Sequence, residues 1–173
     1  RAASRIVSSA AIHLEEAITG PAEMITYLGQ GIHTGKEGNL AYHNSLMVQF
    51  WSALASRDTR LMTHVLSTHF PTSLVNATYG TYLRCHDDIG LGFDDTDIAA
   101  IGYDPRAHRR FLLDYYTGNF PGSPARGQPF GQNDKTGDAR FAGSLASLVG
   151  LESALADGDE AAVQAAIERI LLL

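Results

Sequence analysis

The stretch "AAIHLEEAITGPAEMITYLG", Ala10 to Gly29, decides how the chain is read. Its first half, Ala10 to Ile18, is an apolar run that closes on carboxylates, and it reads as a short β-strand. Its second half carries Pro21 where a helix makes its first turn and Gly29 where one stops. A strand feeding directly into a helix is the building unit of an α/β fold.

The same unit recurs outward from this point. Upstream, "RAASRIVSS" reads as the tail of a helix. Downstream, the Gly-rich "GQGIHTGKEGN" is a loop and "LAYHN" is a second strand. From Ser45 to about Ser67 the spacing of Leu46, Phe50, Leu54, Leu61 and Val65 predicts one long helix or two abutting ones. "NATYGTYLRCH" is the third strand, and it runs into "RCHDDIG", Arg84 to Gly90. The acidic "DDIGLGFDDTDIAAIGYD" is an irregular excursion. Asp104 and Pro105 open a helix to about Tyr116. "TGNFPGSPARGQPFGQNDKTGD" is a long Gly- and Pro-rich loop. Two helices close the chain, about Phe141 to Leu155 and Glu160 to Leu173, with Asp157 and Glu160 at capping-box spacing.

Alternating strands and helices predict parallel strands joined by crossover helices. The expected fold class is therefore α/β, part of a (β/α)8 TIM barrel, of which three strands would be three-eighths. The expected division is residues 1–88 as partial barrel, 89–140 as an inserted subdomain, and 141–173 as barrel helices.

Composition narrows the function. Among the 173 residues 45% are hydrophobic and 18% charged, a globular balance. The net charge of −6 argues against nucleic-acid partners and against an anionic membrane surface. No apolar run approaches the roughly 20 residues of a membrane span. A single cysteine, Cys85, allows no internal disulfide and no cysteine-built zinc site, which suits a cytoplasmic protein. Oligomeric state is left open. An Arg at position 1 and an uncapped apolar end, "ERILLL", suggest a segment of something longer.

Ligands in parallel α/β folds bind at the carboxyl ends of the strands. Two clusters fall there: Glu15 and Glu16, and then His86, Asp87 and Asp88. By strand parity Glu16 shares a face with Ile12 and Leu14, and Asp87 shares one with Leu83 and Cys85; these apolar faces are expected to point into a barrel or core. A carboxylate at the rim of an apolar interior favours its protonated form, which suits a general acid. A second carboxylate can stabilise an oxocarbenium-like transition state, and glycoside cleavage needs both. Other readings stand beside this one. Such pairs are commonly helix caps or solvated turns. His13, Glu16, His86 and Asp87 could hold a metal, but they lack a diagnostic spacing. Cys85 reads as a small core residue, and Phe50 and Trp51 read as core. Arg109, Phe111, Arg126 and Arg140 are either solvated surface or the grips of a carbohydrate site.

"YLRCHDDIG" resembles the seventh-strand signature of glycoside hydrolase family 13, and "HLEEAI" followed by "GPAEMITYLG" resembles its fifth-strand signature. The ordered run "GYD", "HRRF", "ARGQPF", "TGDARFAG" is similar to the amylosucrase-like branch. The resemblance implies an internal portion of the barrel, from the fifth strand to the seventh helix, with a subdomain after the seventh strand. It implies Glu16 as acid/base and Asp87 as transition-state stabiliser. It also implies that His86 holds the glucosyl ring, that Asp88 supports the site through an ion pair, and that Arg109, Phe111 and Arg140 lie near acceptor subsites. The implied reaction is retaining glucosyl transfer or hydrolysis, with sucrose, glucose or α-glucan oligosaccharides as the expected small-molecule partners and no metal and no organic cofactor. Two departures stand out. The family's nucleophilic Asp, on the fourth strand, has no match here, and Leu91 replaces the Trp usual after "DDIG", which leaves donor choice open. The rival expectation is a non-catalytic remnant that binds glucan or packs against a partner.

Overall fold

The computed structural model describes residues 2–70, 73–133 and 139–173. Helix α1, Ala2–Val7, precedes strand β1, Leu14–Glu15, and helix α2, Pro21–Leu28. Strand β2, Leu40–Tyr42, leads to helices α3, Asn44–Ser56, and α4, Arg60–His69, and then to strand β3, Thr78–Gly80. The three strands form one parallel sheet in chain order, with Leu14 opposite Leu40 and Leu40 opposite Thr78. Parallel neighbours need a crossover, and α2 and then α3 with α4 supply it.

Helix bounds follow from local chemistry. Pro21 sits in the first turn of α2, and Gly29 ends it at φ +97, where a Cβ would lie 2.3 Å from the His33 carbonyl oxygen. The Ser45–Ser67 segment is two helices. Arg57 turns left-handed at φ 56, and Asp58 Oδ1 accepts from the Arg60 backbone N–H at 2.9 Å to start the second.

Beyond β3 come helices α5, Asp95–Ala100, and α6, Pro105–Tyr116. Asp94 and Asp104 cap them by accepting from the Thr96 and Ala107 backbone N–H groups. The segment expected as irregular thus contains a helix. Strands β4, Gln128–Phe130, and β5, Arg140–Ala142, make an antiparallel pair, and helices α7, Leu145–Val149, α8, Leu151–Asp157, and α9, Glu160–Leu172, complete the chain. The helix expected from Phe141 therefore starts after Ser144, whose hydroxyl accepts from the Ser147 N–H. Helix α9 is capped by Asp159, which accepts from Ala162, and not by the expected pair of Asp157 and Glu160.

Two apolar clusters hold these elements. The smaller joins Ala17, Met24, Leu28 and Ala41 beneath α2. The larger draws Met47 and Trp51 from the first expected segment, Ile98 and Leu112 from the second, and Phe141 and Leu148 from the third. Tyr116 stacks on Phe141 at 4.6 Å and meets Trp51 edge-on at 5.3 Å. Phe50 is half-buried.

The face of β1 that carries Glu16 does not enter the core of the described residues. Ile12, Leu14 and Ile18 are 65%, 45% and 68% exposed, and Glu16 is exposed with them. Helix α2 packs instead on the opposite face, where the small side chains of Ala17 and Ala41 admit Met24 and Leu28. No helix among the described residues is long and apolar enough to cross a membrane.

Candidate functional site

The segment from Arg84 to Asp88 is not a strand continuation, because β3 stops at Gly80. Its backbone is held from both ends instead. The Trp51 indole N–H donates to the Leu83 carbonyl at 2.9 Å. Ile89 and Phe141 exchange backbone hydrogen bonds of 2.8 and 3.2 Å. Between these anchors the Arg84 guanidinium donates to the carbonyls of Gly143, Cys85 and Asp87. The cation in "RCHDD" is thus a clamp on main chain, not a partner for the neighbouring carboxylates.

This clamped segment forms one wall of a groove of about 1580 Å³. Glu16 and Ile18 enter the same groove from the end of β1, with Asn44 and Met47 from α3 and Arg106 and Arg109 from α6. Of the expected site residues, Glu16, Asp87, Asp88, Arg109 and Arg140 line it. His86 and Phe111 are not among its lining residues. His86 projects into solvent, 89% exposed, with Nε2 3.3 Å from Asp87 Oδ1. Phe111 is half-buried in an aromatic group, edge-on to Phe120 at 4.9 Å. Arg126 lies 4.0 Å from Asp157, away from the groove. His13 is also elsewhere, 2.8 Å from Ser4 Oγ.

Charges in the groove are largely matched. Asp88 is mostly buried and lies 3.2 Å from Arg140 Nη1. Arg109 reaches Asp95 at 2.6 Å and donates to the Leu91 and Phe93 carbonyls. Its guanidinium therefore ties the segment after Gly90 to α6. Asp87 is half-exposed and Glu16 exposed.

Tyr82 is the residue that the sequence reading missed. It lines the groove and meets Tyr42 edge-on at 5.3 Å. Burial first, then the charges of Cys85 and Asp87, then Tyr42 and Glu16, push its phenol above the ordinary tyrosine value. Its signal was present in "YGTYLRCH", but only the fold shows that Tyr82 lines the groove together with Glu16 and Asp87. Cys85, expected in the core, is exposed, because the chain bends away from the sheet before reaching it.

No protein-family model matches the chain.

Proposed function

We propose that this chain supplies part of the active site of a retaining α-glucosyl transferase or hydrolase that acts on sucrose or α-glucans, and that its sheet is a portion of a (β/α)8 barrel. The observation that carries this reading is the single groove that receives Glu16 from one strand end and Asp87 and Asp88 from the segment after another. Glycoside cleavage uses carboxylates on both sides of the scissile bond, and here an acid/base candidate and a stabilising carboxylate share one groove. Carboxylates and guanidiniums line the groove in equal number among the described residues, so it suits a neutral polyhydroxy ligand better than a polyanion. Its volume exceeds the roughly 300–1,000 Å³ of ordinary small-molecule pockets, which fits an extended sugar chain. The exposed apolar face of Ile12, Leu14 and Ile18 suits a barrel interior completed by further strands.

In this reading Glu16 protonates the leaving oxygen and later deprotonates the acceptor, and Asp87 stabilises positive charge on the glucosyl ring. His86 reaches the ring from solvent. Asp88 and Arg140 brace the floor, and Arg109 shapes the rim. The chemistry needs no metal or cofactor. The covalent step needs a nucleophilic carboxylate that no residue here matches. The 173 residues alone are therefore expected to turn over no sucrose, and the working enzyme is placed in the cytoplasm. In that enzyme Glu16→Gln is expected to slow turnover about 10²–10⁴-fold. Near-unchanged turnover of an unactivated sugar would remove Glu16 from the role.

A binding-only role in the same groove is the second reading, favoured by the exposure of Glu16 and Asp87. It predicts saturable maltooligosaccharide binding that Glu16→Gln leaves unchanged and no turnover in any assembly.

A further inference from the structure

We propose that Cys85, His86 and Asp87 form a binding site for a thiophilic divalent cation of the zinc class. Each offers one ligand atom, and these atoms all lie within 4.8 Å of one another. Cys85 Sγ is 3.8 Å from Asp87 Oδ2, and His86 Nε2 is 3.3 Å from Asp87 Oδ1. Usual zinc bond lengths in a tetrahedron put ligand atoms about 3.3 Å apart for N and O and about 3.6 Å apart for S and O. The two contacts run to different oxygens of Asp87, and all three ligand atoms lie within the 4.8 Å across which an ion would draw them together.

The donor set selects the ion. A thiolate, an imidazole and a carboxylate suit a borderline-soft metal and not magnesium or calcium. Three protein ligands leave a fourth position for water, and the exposure of Cys85 and His86 gives an ion free entry. Consecutive residues cannot converge in a strand, where they alternate between faces. They converge here because the chain bends at His86 and Asp87, while Arg84 holds the carbonyls of Cys85 and Asp87. That clamp lowers the cost of ordering the ligands. If Asp87 and His86 also hold a glucosyl ring, ion and sugar compete, a consequence that rests on the proposed function; ion binding itself does not.

The test is titration of the purified chain with Co²⁺ alone. Because Cys85 is the only cysteine, a thiolate-to-cobalt charge-transfer band reports this site and none of the other six histidines in the chain. The expected result is a band that saturates at one ion per chain, is displaced by added Zn²⁺, and is absent in Cys85→Ser. His86→Ala and Asp87→Asn are each expected to weaken binding at least about tenfold, the loss that removal of a ligand's outer partner alone causes. Far-UV circular dichroism checks that these variants, altered at exposed or half-exposed positions, remain folded. Absence of the band at saturating Co²⁺ would overturn the proposal. So would folded His86→Ala and Asp87→Asn chains that half-saturate at the wild-type concentration, since Cys85 would then bind alone.

Discussion

The indole N–H of Trp51, in the middle of α3, donates to the carbonyl of Leu83 at 2.9 Å, the last residue before the Arg84–Asp88 segment. The Trp51 carbonyl in turn accepts from the Tyr116 hydroxyl at 2.5 Å, and Tyr116 stacks on Phe141, which pairs with Ile89. One aromatic column thus holds both ends of the segment that carries His86, Asp87 and Asp88. Trp51→Phe keeps most of the packing but leaves the Leu83 carbonyl without its donor. The expected cost is about 2–4 kcal/mol in urea unfolding, from the lost partner and the void left by the smaller ring. Amide exchange across residues 84–88 is expected to quicken as well. Unchanged exchange there would separate the indole from the placement of the site.

A second prediction concerns acid. His43 is buried between the rings of Phe70 and Tyr79, and its Nδ1 accepts from the Leu46 backbone N–H at 3.2 Å. Burial pushes its pKa down to about 4. Unfolded, the same imidazole titrates near 6.5, so between these values the unfolded chain binds more protons than the folded one. Its contribution, up to about 3 kcal/mol, is complete above pH 6.5 and is lost as pH falls towards 4. His108, lowered by burial and then by Arg109 against an opposing effect of Asp58, acts in the same direction. His43→Asn keeps a capping acceptor and removes the titration. Its unfolding free energy is expected to fall less between pH 6.5 and 4 than that of the wild type. Parallel profiles for the two chains would show that His43 is not the proton acceptor.

These residues also show what sequence could and could not disclose. The helix opened by Asp104 and Pro105 was legible because cap and first turn are adjacent in the chain. Helix α5 was not, because its buried Asp97 looks like one more acidic loop residue until His64 and His69 arrive from α4. Strand parity correctly separated Glu15 from Glu16. It could not say which face α2 covers, since that depends on where α2 lands, and α2 lands on Ala17 and Ala41. The partner of Asp88 and the exposure of Cys85 were equally hidden. Arg140 lies 52 residues from Asp88, and the bend that exposes Cys85 depends on Trp51 and Arg84.

The end of α2 gives a backbone test. Gly29 has φ +97, and a Cβ there would meet the His33 carbonyl oxygen at 2.3 Å. Backbone cannot yield as a side-chain tip can, so Gly29→Ala is expected to cost about 1–3 kcal/mol. Gly92→Ala is the control: a Cβ there meets nothing within 4 Å, and φ lies outside the left-handed range. It is expected to stay within about 0.5 kcal/mol of the wild type. Equal thermal midpoints for the two variants would mean that the turn after α2 adjusts freely.

The α4–α5 contact rests on Asp97, whose side chain is 8% exposed. Oδ1 lies 2.9 Å from His64 Nε2 and 2.9 Å from His69 Nε2, and Oδ2 lies 2.8 Å from His69 Nε2. A carboxylate only accepts, so both Nε2 atoms carry the proton and both rings donate. Asp97→Asn supplies one acceptor oxygen and turns an amide N–H2 towards a donor. The expected loss is about 2–3 kcal/mol, since hydrogen bonds to a charged group are broken with little access to water. His69 meets both oxygens and His64 only one, so double-mutant cycles with Asp97→Asn are expected to show the larger coupling for His69→Ala, within about 0.5–3 kcal/mol. Amide exchange should localise the damage to the last turn of α4 and to α5. Additivity of both pairs within about 0.3 kcal/mol would mean that the imidazoles lie beside Asp97 without holding it, and that burial of Ile98 alone keeps α5 in place.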